Sequence, residues 1–208
     1  MPWTSLREIP TVVAITGVER VKAKSTRFHV VGEYVLGHVE AVGGAARSCK
    51  GHGSVGYVTA AAIARSQAVH ERLNAVELPL YEQAKAQAAT PASGIFAGVP
   101  TYIKDNTDVR GLPTGHGSRA VVTAAPAKMT GAFAKQYLSL GFQLIGKSKL
   151  PEFGFNATTE FDRDPATLNP WNDNYSSGAS SGGAAVLVAS GAVPIAHAND
   201  GGGSIRIP

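Results

Sequence analysis

The sequence predicts an α/β fold with a mixed, largely parallel β-sheet flanked by helices. Short apolar runs, such as residues 98–104 and 142–146, are typical of buried strands. Longer stretches between them repeat apolar residues at spacings of three and four, which is typical of helices packed on one face. Strands that alternate with helices favour parallel pairing, and 208 residues suffice for one domain with a core.

The N-terminal segment, residues 1–57, has no sustained hydrophobic period. Strand-like runs at residues 11–15 and 28–31 alternate with glycine- and lysine-rich pieces. We therefore expect an atypical N-terminal segment up to residue 57 and a main domain over residues 58–208.

Two helices are predicted at the start of the main domain. Thr59 is a candidate N-cap for the first, because its hydroxyl can accept from the free backbone N–H groups of the first turn. The apolar face of this helix comprises Val69, Leu73 and Val76. The second helix aligns Leu80, Ala84 and Ala88.

Strands and helices then alternate. A strand over residues 98–104 leads, through a connection at 105–126, into a helix over residues 127–140. The apolar face of that helix comprises Met129, Phe133, Tyr137 and Leu140. A buried strand is predicted at residues 142–146. Residues 147–174 are expected to be irregular, because an Asn-Pro pair and an Asn/Asp cluster mark turns there.

The C-terminal part contains a helix that is apolar on all sides, residues 182–191. Such a helix is expected to be buried. A strand follows at residues 193–198, then a glycine-rich turn at 201–204, and residues 205–208 begin an extended piece.

Composition and charge exclude several classes of function. The net charge of +4 is scattered, with no Lys/Arg run typical of a nucleic-acid or membrane-surface partner. No apolar stretch reaches membrane-spanning length. The single cysteine, Cys49, permits neither an internal disulfide nor a cysteine zinc site, and we expect it to be inert. These features favour a cytoplasmic protein without a metal.

Lys104 stands at the end of a predicted apolar strand and is followed by Asp105 and Asn106. A lysine at a strand end is most often a surface charge. The Asp-Asn pair could hold an ammonium group in place, which makes a functional lysine the second interpretation.

A second segment, residues 176–183, is rich in glycine and serine. Residues 178–182 match the G-x-S-x-G pattern of a nucleophile elbow around Ser180. That interpretation fails because a polar turn, rather than a strand, precedes the match. In addition, the only downstream histidine, His197, comes before Asp200, which reverses the required order. The simpler alternative is a helix N-terminus with exposed hydroxyls.

A third segment, residues 199–206, carries three consecutive glycines before Ser204. Successive backbone N–H groups in such a turn can converge on a developing oxyanion. A tight β-turn without function is the alternative. The glycine pattern of dinucleotide-binding folds and the P-loop lysine are both absent.

Together these segments resemble the amidase signature family over about residues 57–208. The five matching elements, in chain order, are residues 99–106, 144–154, 169–172, 178–183 and 200–206. The C-terminal stretch is most similar to bacterial amidases of the mycobacterial type. The resemblance implies the amidase signature fold, of which residues 58–208 would be the N-terminal portion.

The resemblance implies a Ser–Ser–Lys triad: Ser204 as nucleophile, Ser180 as a bridging serine after a cis peptide bond, and Lys104 as base. The implied oxyanion donors are the backbone N–H groups of Gly201, Gly202, Gly203 and Ser204, and the implied supporting residues are Ser181, Asp200 and Arg206. No metal or organic cofactor is implied. The chemistry is coherent, because a serine hydroxyl needs a base, and burial can make a lysine neutral enough to serve.

The implied activity is hydrolysis of a small-molecule carboxylic amide to a carboxylate and ammonia or an amine. Two departures from the family pattern are small: Ala179 replaces a common glycine, and Gly201 replaces a common threonine. Family members exceed twice this length, so we expect a truncated member, and a frame error or decayed gene is one hypothesis for this. The alternatives are an inert fragment and a protein like the amidotransferase subunit that amidates misacylated transfer RNA. Homo-oligomerisation is left open.

Overall fold

The computed structural model of the chain describes residues 13–14, 54–121, 125–162 and 164–208. The helices are α1 (Val55–Leu73), α2 (Tyr81–Gln87), α3 (Ala132–Ser139) and α4 (Gly182–Ala189). The strands are β1 (Val13–Ala14), β2 (Val76–Pro79), β3 (Pro100–Lys104), β4 (Gln143–Ser148), β5 (Leu168–Asn169), β6 (Asn172–Ser176) and β7 (Ala196–His197). The strand predicted at residues 28–31 and the loop around Cys49 lie outside the described residues.

A three-stranded sheet in the order β2–β4–β3 forms the framework. β3 and β4 are parallel, with Lys104 opposite Ser148 at their carboxyl ends, and α3 makes the crossover between them. β2 joins the other side of β4 in the antiparallel sense. The mixed α/β prediction is confirmed, and within the described residues the β3–β4 pair alone meets the expectation of parallel strands.

Two short antiparallel pairs complete the strand structure of the described residues. β5 and β6 form a hairpin before α4. The prediction of irregular structure over residues 147–174 is therefore partly wrong, and a strand stands where a polar turn was expected before the G-x-S-x-G match, because β6 pairs with β5 despite its polar sequence. β1 pairs with β7, so the strand expected at residues 11–15 is present in its central two residues.

Helix α4 lies at the centre of the larger core cluster. It is apolar on all sides, and its residues Val186, Leu187 and Val188 are fully buried. It packs with α1 and the sheet, as the sequence predicts for such a helix. A second cluster on α3 includes stacked Phe96 and Phe142 rings, 4.6 Å between centroids.

The N-terminus of α4 approaches the sheet more closely than a side chain would allow. A Cβ atom on Gly183 would lie 2.5 Å from the Lys149 nitrogen and 2.6 Å from the Ala75 carbonyl oxygen. Glycine therefore allows the Gly183 N–H to donate to the Lys149 carbonyl at 3.2 Å. This contact brings the residues before α4 against the carboxyl end of the sheet.

The predicted start of the first helix is wrong, whereas Val69 and Leu73 of its predicted apolar face do pack in the core. Helix α1 begins five residues earlier, with Ser54 as its N-cap accepting from the Tyr57 N–H at 3.2 Å. Thr59 is buried within the helix, and Val76 belongs to β2, because the left-handed residue Asn74 ends the helix first. The second helix agrees with its prediction.

Three other boundaries differ from expectation. Helix α3 begins at Ala132, so Met129 lies before it and is 77% exposed. The strand predicted at residues 193–198 is reduced to β7. Residues 204–206 form a turn in place of an extended piece, because the Arg206 and Ile207 N–H groups both donate to the Gly203 carbonyl. Among the described helices, none combines the length and apolar character needed to cross a bilayer.

Candidate active site

Lys104 ends β3 inside the protein rather than on its surface. Its side chain is fully buried, as are the strand residues Tyr102 and Ile103 before it. The surface-charge interpretation is therefore wrong. Because ligands of open α/β sheets bind beyond the carboxyl ends of the strands, this position is a natural one for a site.

The Lys104 amine has three neutral partners. Its Nζ lies 2.7 Å from Ser180 Oγ, 3.0 Å from Ser181 Oγ and 2.8 Å from Asn199 Oδ1. Two of these residues immediately precede α4 and one follows β7. The fold thus brings both glycine-rich segments, residues 176–183 and 199–206, to one lysine.

Ser180 connects the lysine to Ser204. The Ser180 and Ser204 hydroxyl oxygens are 2.8 Å apart, and the peptide bond between Ala179 and Ser180 is cis. The Ser181 N–H donates to the Ser204 carbonyl at 3.2 Å, which ties the third motif to the start of α4. The sequence-predicted residues Ser204, Ser180 and Lys104 therefore form one continuous hydrogen-bonded row.

Burial changes the protonation chemistry of Lys104. Loss of solvation lowers the pKa of its ammonium from 10.5 to about 8, and the negative charge of Asp200 opposes part of this shift. Ser181 is the residue before α4, so the amine also lies at the positive end of that helix, which disfavours the ammonium form. The neutral form of Lys104 is therefore far more populated near physiological pH than that of a solvated lysine.

Asp200 organises the glycine turn. Its carboxylate accepts from the Gly203 N–H at 2.7 Å and from the Ile205 N–H at 3.0 Å. Arg206 donates to both carboxylate oxygens, at 2.7 and 2.9 Å. The Arg206 hydrogen bonds, assisted by these two N–H groups, hold the pKa of Asp200 far below its usual range. The carboxylate therefore stays charged and fixes the turn that carries Ser204.

The backbone donors of this turn are not equivalent. The Gly203 N–H is taken by Asp200, although the resemblance counts it among the oxyanion donors. Within the described residues the N–H groups of Gly201, Gly202 and Ser204 have no protein partner. These three groups are the available donors for an anion.

His197 supports the lysine from β7. Its Nδ1 accepts from the Lys104 backbone N–H at 3.2 Å, and its ring packs on Phe133 at 4.8 Å between centroids. Burial, helped by the Lys104 charge, lowers the pKa of His197 to about 3, so it is neutral. Its Nε2 has no hydrogen-bond partner among the described residues.

Asp105 does not hold Lys104, contrary to the expectation for the Lys-Asp-Asn motif. Its carboxylate forms a buried ion pair with Lys147 at 2.6 Å and accepts from the Gly115 N–H at 2.8 Å. Lys147 also donates to the Pro113 carbonyl and the Thr114 hydroxyl. The ion pair therefore joins β3, β4 and the following loop directly beside the site.

Asp105→Asn is expected to destabilise the protein by about 3–5 kcal/mol, because it leaves the buried Lys147 ammonium without a counter-charge. Urea unfolding followed by circular dichroism measures this loss. The control is Glu82→Gln, which breaks the exposed Glu82–Lys85 pair and should leave the unfolding midpoint in place. Equal midpoints for the two variants would contradict a stabilising role for Asp105.

An open cavity of about 790 Å³ lies over the row of site residues. Ser180, Ser204, Gly201 and Gly202 reach its surface, and the aromatic residues Phe153 and Phe155 form part of its wall. Within the described ranges, His, Cys, Asp and Glu side chains form no cluster that could hold a metal ion.

Asn199 and His197 are site residues that the sequence interpretation missed as functional. Neither belongs to a periodic pattern, and the sequence motifs bring in His197 only as a possible partner for a nucleophile elbow. The available signal was their position, since His197 ends a buried strand and Asn199 lies between that strand and the glycine turn.

Comparisons with known proteins place these features in context. The family model described as Amidase matches residues 57–208. AmiC of Mycobacterium leprae (strain TN) is 46% identical over 182 residues, covering 88% of this chain and 39% of that protein. The 6-aminohexanoate-cyclic-dimer hydrolase of Paenarthrobacter ureafaciens is 42% identical over 150 residues, covering 71% of this chain and 30% of its own length.

Solved structures agree with the sequence relatives. A structure of 6-aminohexanoate cyclic dimer hydrolase superimposes with a TM-score of 0.73 and 37% identity, covering 79% of this chain and 34% of that one. The chain thus spans well under half the length of these relatives.

Proposed function

This chain belongs to the amidase family, and from that premise we propose that it hydrolyses a small-molecule carboxylic amide to a carboxylate and ammonia or an amine. The proposal rests on one observation, the unbroken row from Ser204 through Ser180 to Lys104 at 2.8 and 2.7 Å. Relatives named as 6-aminohexanoate-cyclic-dimer hydrolases support it.

The first step activates Ser204. Neutral Lys104 takes the hydroxyl proton of Ser180, which in turn takes that of Ser204. The Ser204 oxygen forms a bond to the amide carbon, and the carbonyl electron pair moves onto oxygen. The N–H groups of Gly201, Gly202 and Ser204 are the candidates to stabilise that oxyanion.

The second step expels the amine. The carbon–nitrogen bond breaks, and the leaving nitrogen takes a proton from Ser180, which recovers one from the Lys104 ammonium. Ser204 is left as an ester. Water then attacks the ester carbon, delivers its proton to Lys104 through Ser180, and releases the carboxylate as Ser204 regains its proton.

A fluorophosphonate probe tests this proposal on the 208-residue chain. We expect a single covalent adduct, mapped to Ser204 by peptide mass spectrometry, together with hydrolysis of a neutral aryl amide. A folded chain without an adduct would contradict the proposal and favour the inert-fragment alternative. An adduct at Ser180 instead would overturn the assignment of the nucleophile.

A further inference from the structure

We propose that Asn199 is a positioning residue, which orients the Lys104 amine so that its lone pair faces Ser180. The inference deepens the proposed function and rests on it. It is argued from the hydrogen bonds around the Lys104 side-chain nitrogen. Asn199 itself neither touches Ser204 nor transfers a proton.

A neutral amine has two N–H donors and one lone pair. The Lys104 nitrogen has three neighbours within hydrogen-bond distance, the oxygens of Ser180, Ser181 and Asn199. It can act as a base toward Ser180 only if both of its N–H groups point at the other two neighbours. Neither Ser181 nor Asn199 may therefore donate a hydrogen bond to the amine lone pair.

Asn199 meets this requirement twice. Its side-chain Oδ1, at 2.8 Å from the lysine nitrogen, can only accept, so it takes one N–H group. Its backbone carbonyl accepts from the Ser181 hydroxyl at 3.3 Å, so Ser181 faces the lysine with its lone pairs and takes the other N–H group. Ser180 is then the one neighbour left to donate to the amine.

The neutrality of Asn199 matters because the groups in contact with this amine carry no charge. Asp200 is the carboxylate whose charge acts on the amine, and that charge is shared with Arg206 and two backbone N–H groups. His197, on β7, is neutral. A carboxylate at position 199 would stand in direct contact with the amine and favour its ammonium form, which cannot accept a proton.

The test is Asn199→Asp, measured as kcat against pH for hydrolysis of a neutral aryl amide. The rate should rise with pH as Lys104 loses its proton. In Asn199→Asp we expect this rise to occur about one pH unit or more higher than in the wild type, so that the rate recovers at alkaline pH. Asn199→Leu, which removes the acceptor without adding charge, should lower kcat while KM and the pH of this rise change little.

The matched control is Asn156→Asp, which places the same charge on the cavity wall without contact to Lys104. Its rate should rise at the wild-type pH. A rate rise at the wild-type pH in Asn199→Asp, or equal shifts in both variants, would overturn the positioning role of Asn199. Hydrolysis that still depends on Ser204 would leave the proposed function intact.

A second readout does not depend on turnover. In protein labelled with ¹³C-lysine, the Lys104 side-chain signal, assigned with Lys104→Arg, should titrate at higher pH in Asn199→Asp than in the wild type. Absence of hydrolysis in the wild type would refute the proposed function alone. An unchanged Lys104 titration would refute the role of Asn199 alone.

Discussion

Ser204→Ala is expected to abolish amide hydrolysis, lowering kcat by about 10³-fold or more. The loss is total for covalent chemistry because, among the described residues, no other hydroxyl stands next to both the free N–H groups of the glycine turn and the Ser180 relay. In that part of the chain the Ser204 hydroxyl bonds to Ser180 alone, so its removal should change the stability of the fold little. Initial rates and fluorophosphonate labelling measure the effect.

Two further variants make this result specific. Ser139→Ala removes an exposed hydroxyl from α3, which donates to the Gln136 carbonyl, and should leave rate and labelling unchanged. Ser180→Ala keeps the nucleophile but breaks its route to Lys104, so labelling should slow rather than vanish. Hydrolysis by Ser204→Ala at the wild-type rate would rule out Ser204 as the nucleophile.

Lys104→Arg and Lys104→Met are each expected to lower kcat by about 10²–10⁴-fold. Arginine keeps a positive charge but does not lose its proton in this pH range, whereas methionine fills a similar volume without a basic group. Wild-type activity should rise with pH through about 8, the pKa of the buried amine, and both variants should lack this limb. Full activity in Lys104→Arg would mean that the site needs only a positive charge.

The same lysine makes stability depend on pH with a definite sign. Its pKa is about 8 when folded and near 10.5 when unfolded, so between these values the unfolded chain binds more protons. The free energy of unfolding should therefore rise as the pH increases across this window. Lys104→Met should flatten that rise relative to the wild type, as measured by urea unfolding at several pH values. If the free energy of unfolding changed with pH equally in Lys104→Met and the wild type, the lowered pKa of Lys104 would be contradicted.

Much of the framework could be predicted because it follows local rules. Strands β3 and β4 are short apolar runs, and α4 is an uninterrupted apolar helix, so burial fixes their type. Helix ends were less predictable. Asparagine is a residue type that can end a helix in a left-handed conformation, but the apolar spacing that continues to Val76 hid this signal at Asn74.

The site could be predicted in its members but not in its contacts. The motifs identified Lys104, Ser180 and Ser204 singly, and only the packing of α4 against the sheet brings them within hydrogen-bond distance. The use of the Gly203 N–H by Asp200 was equally hidden, because it depends on how a short turn closes on itself rather than on residue type.

The register of the β3–β4 pair places two buried lysines in different electrostatic surroundings. Ile103 lies opposite Lys147 and Lys104 lies opposite Ser148, so two buried lysines one register step apart project from opposite faces. On one face Lys147 forms an ion pair with Asp105. On the other face the Lys104 amine is surrounded by neutral oxygens. A slip of one residue along β3 would turn Lys104 toward the face that holds Lys147 and take it away from Ser180. The position of each lysine in the register thus decides that Lys147 forms an ion pair and that Lys104 can act as a base.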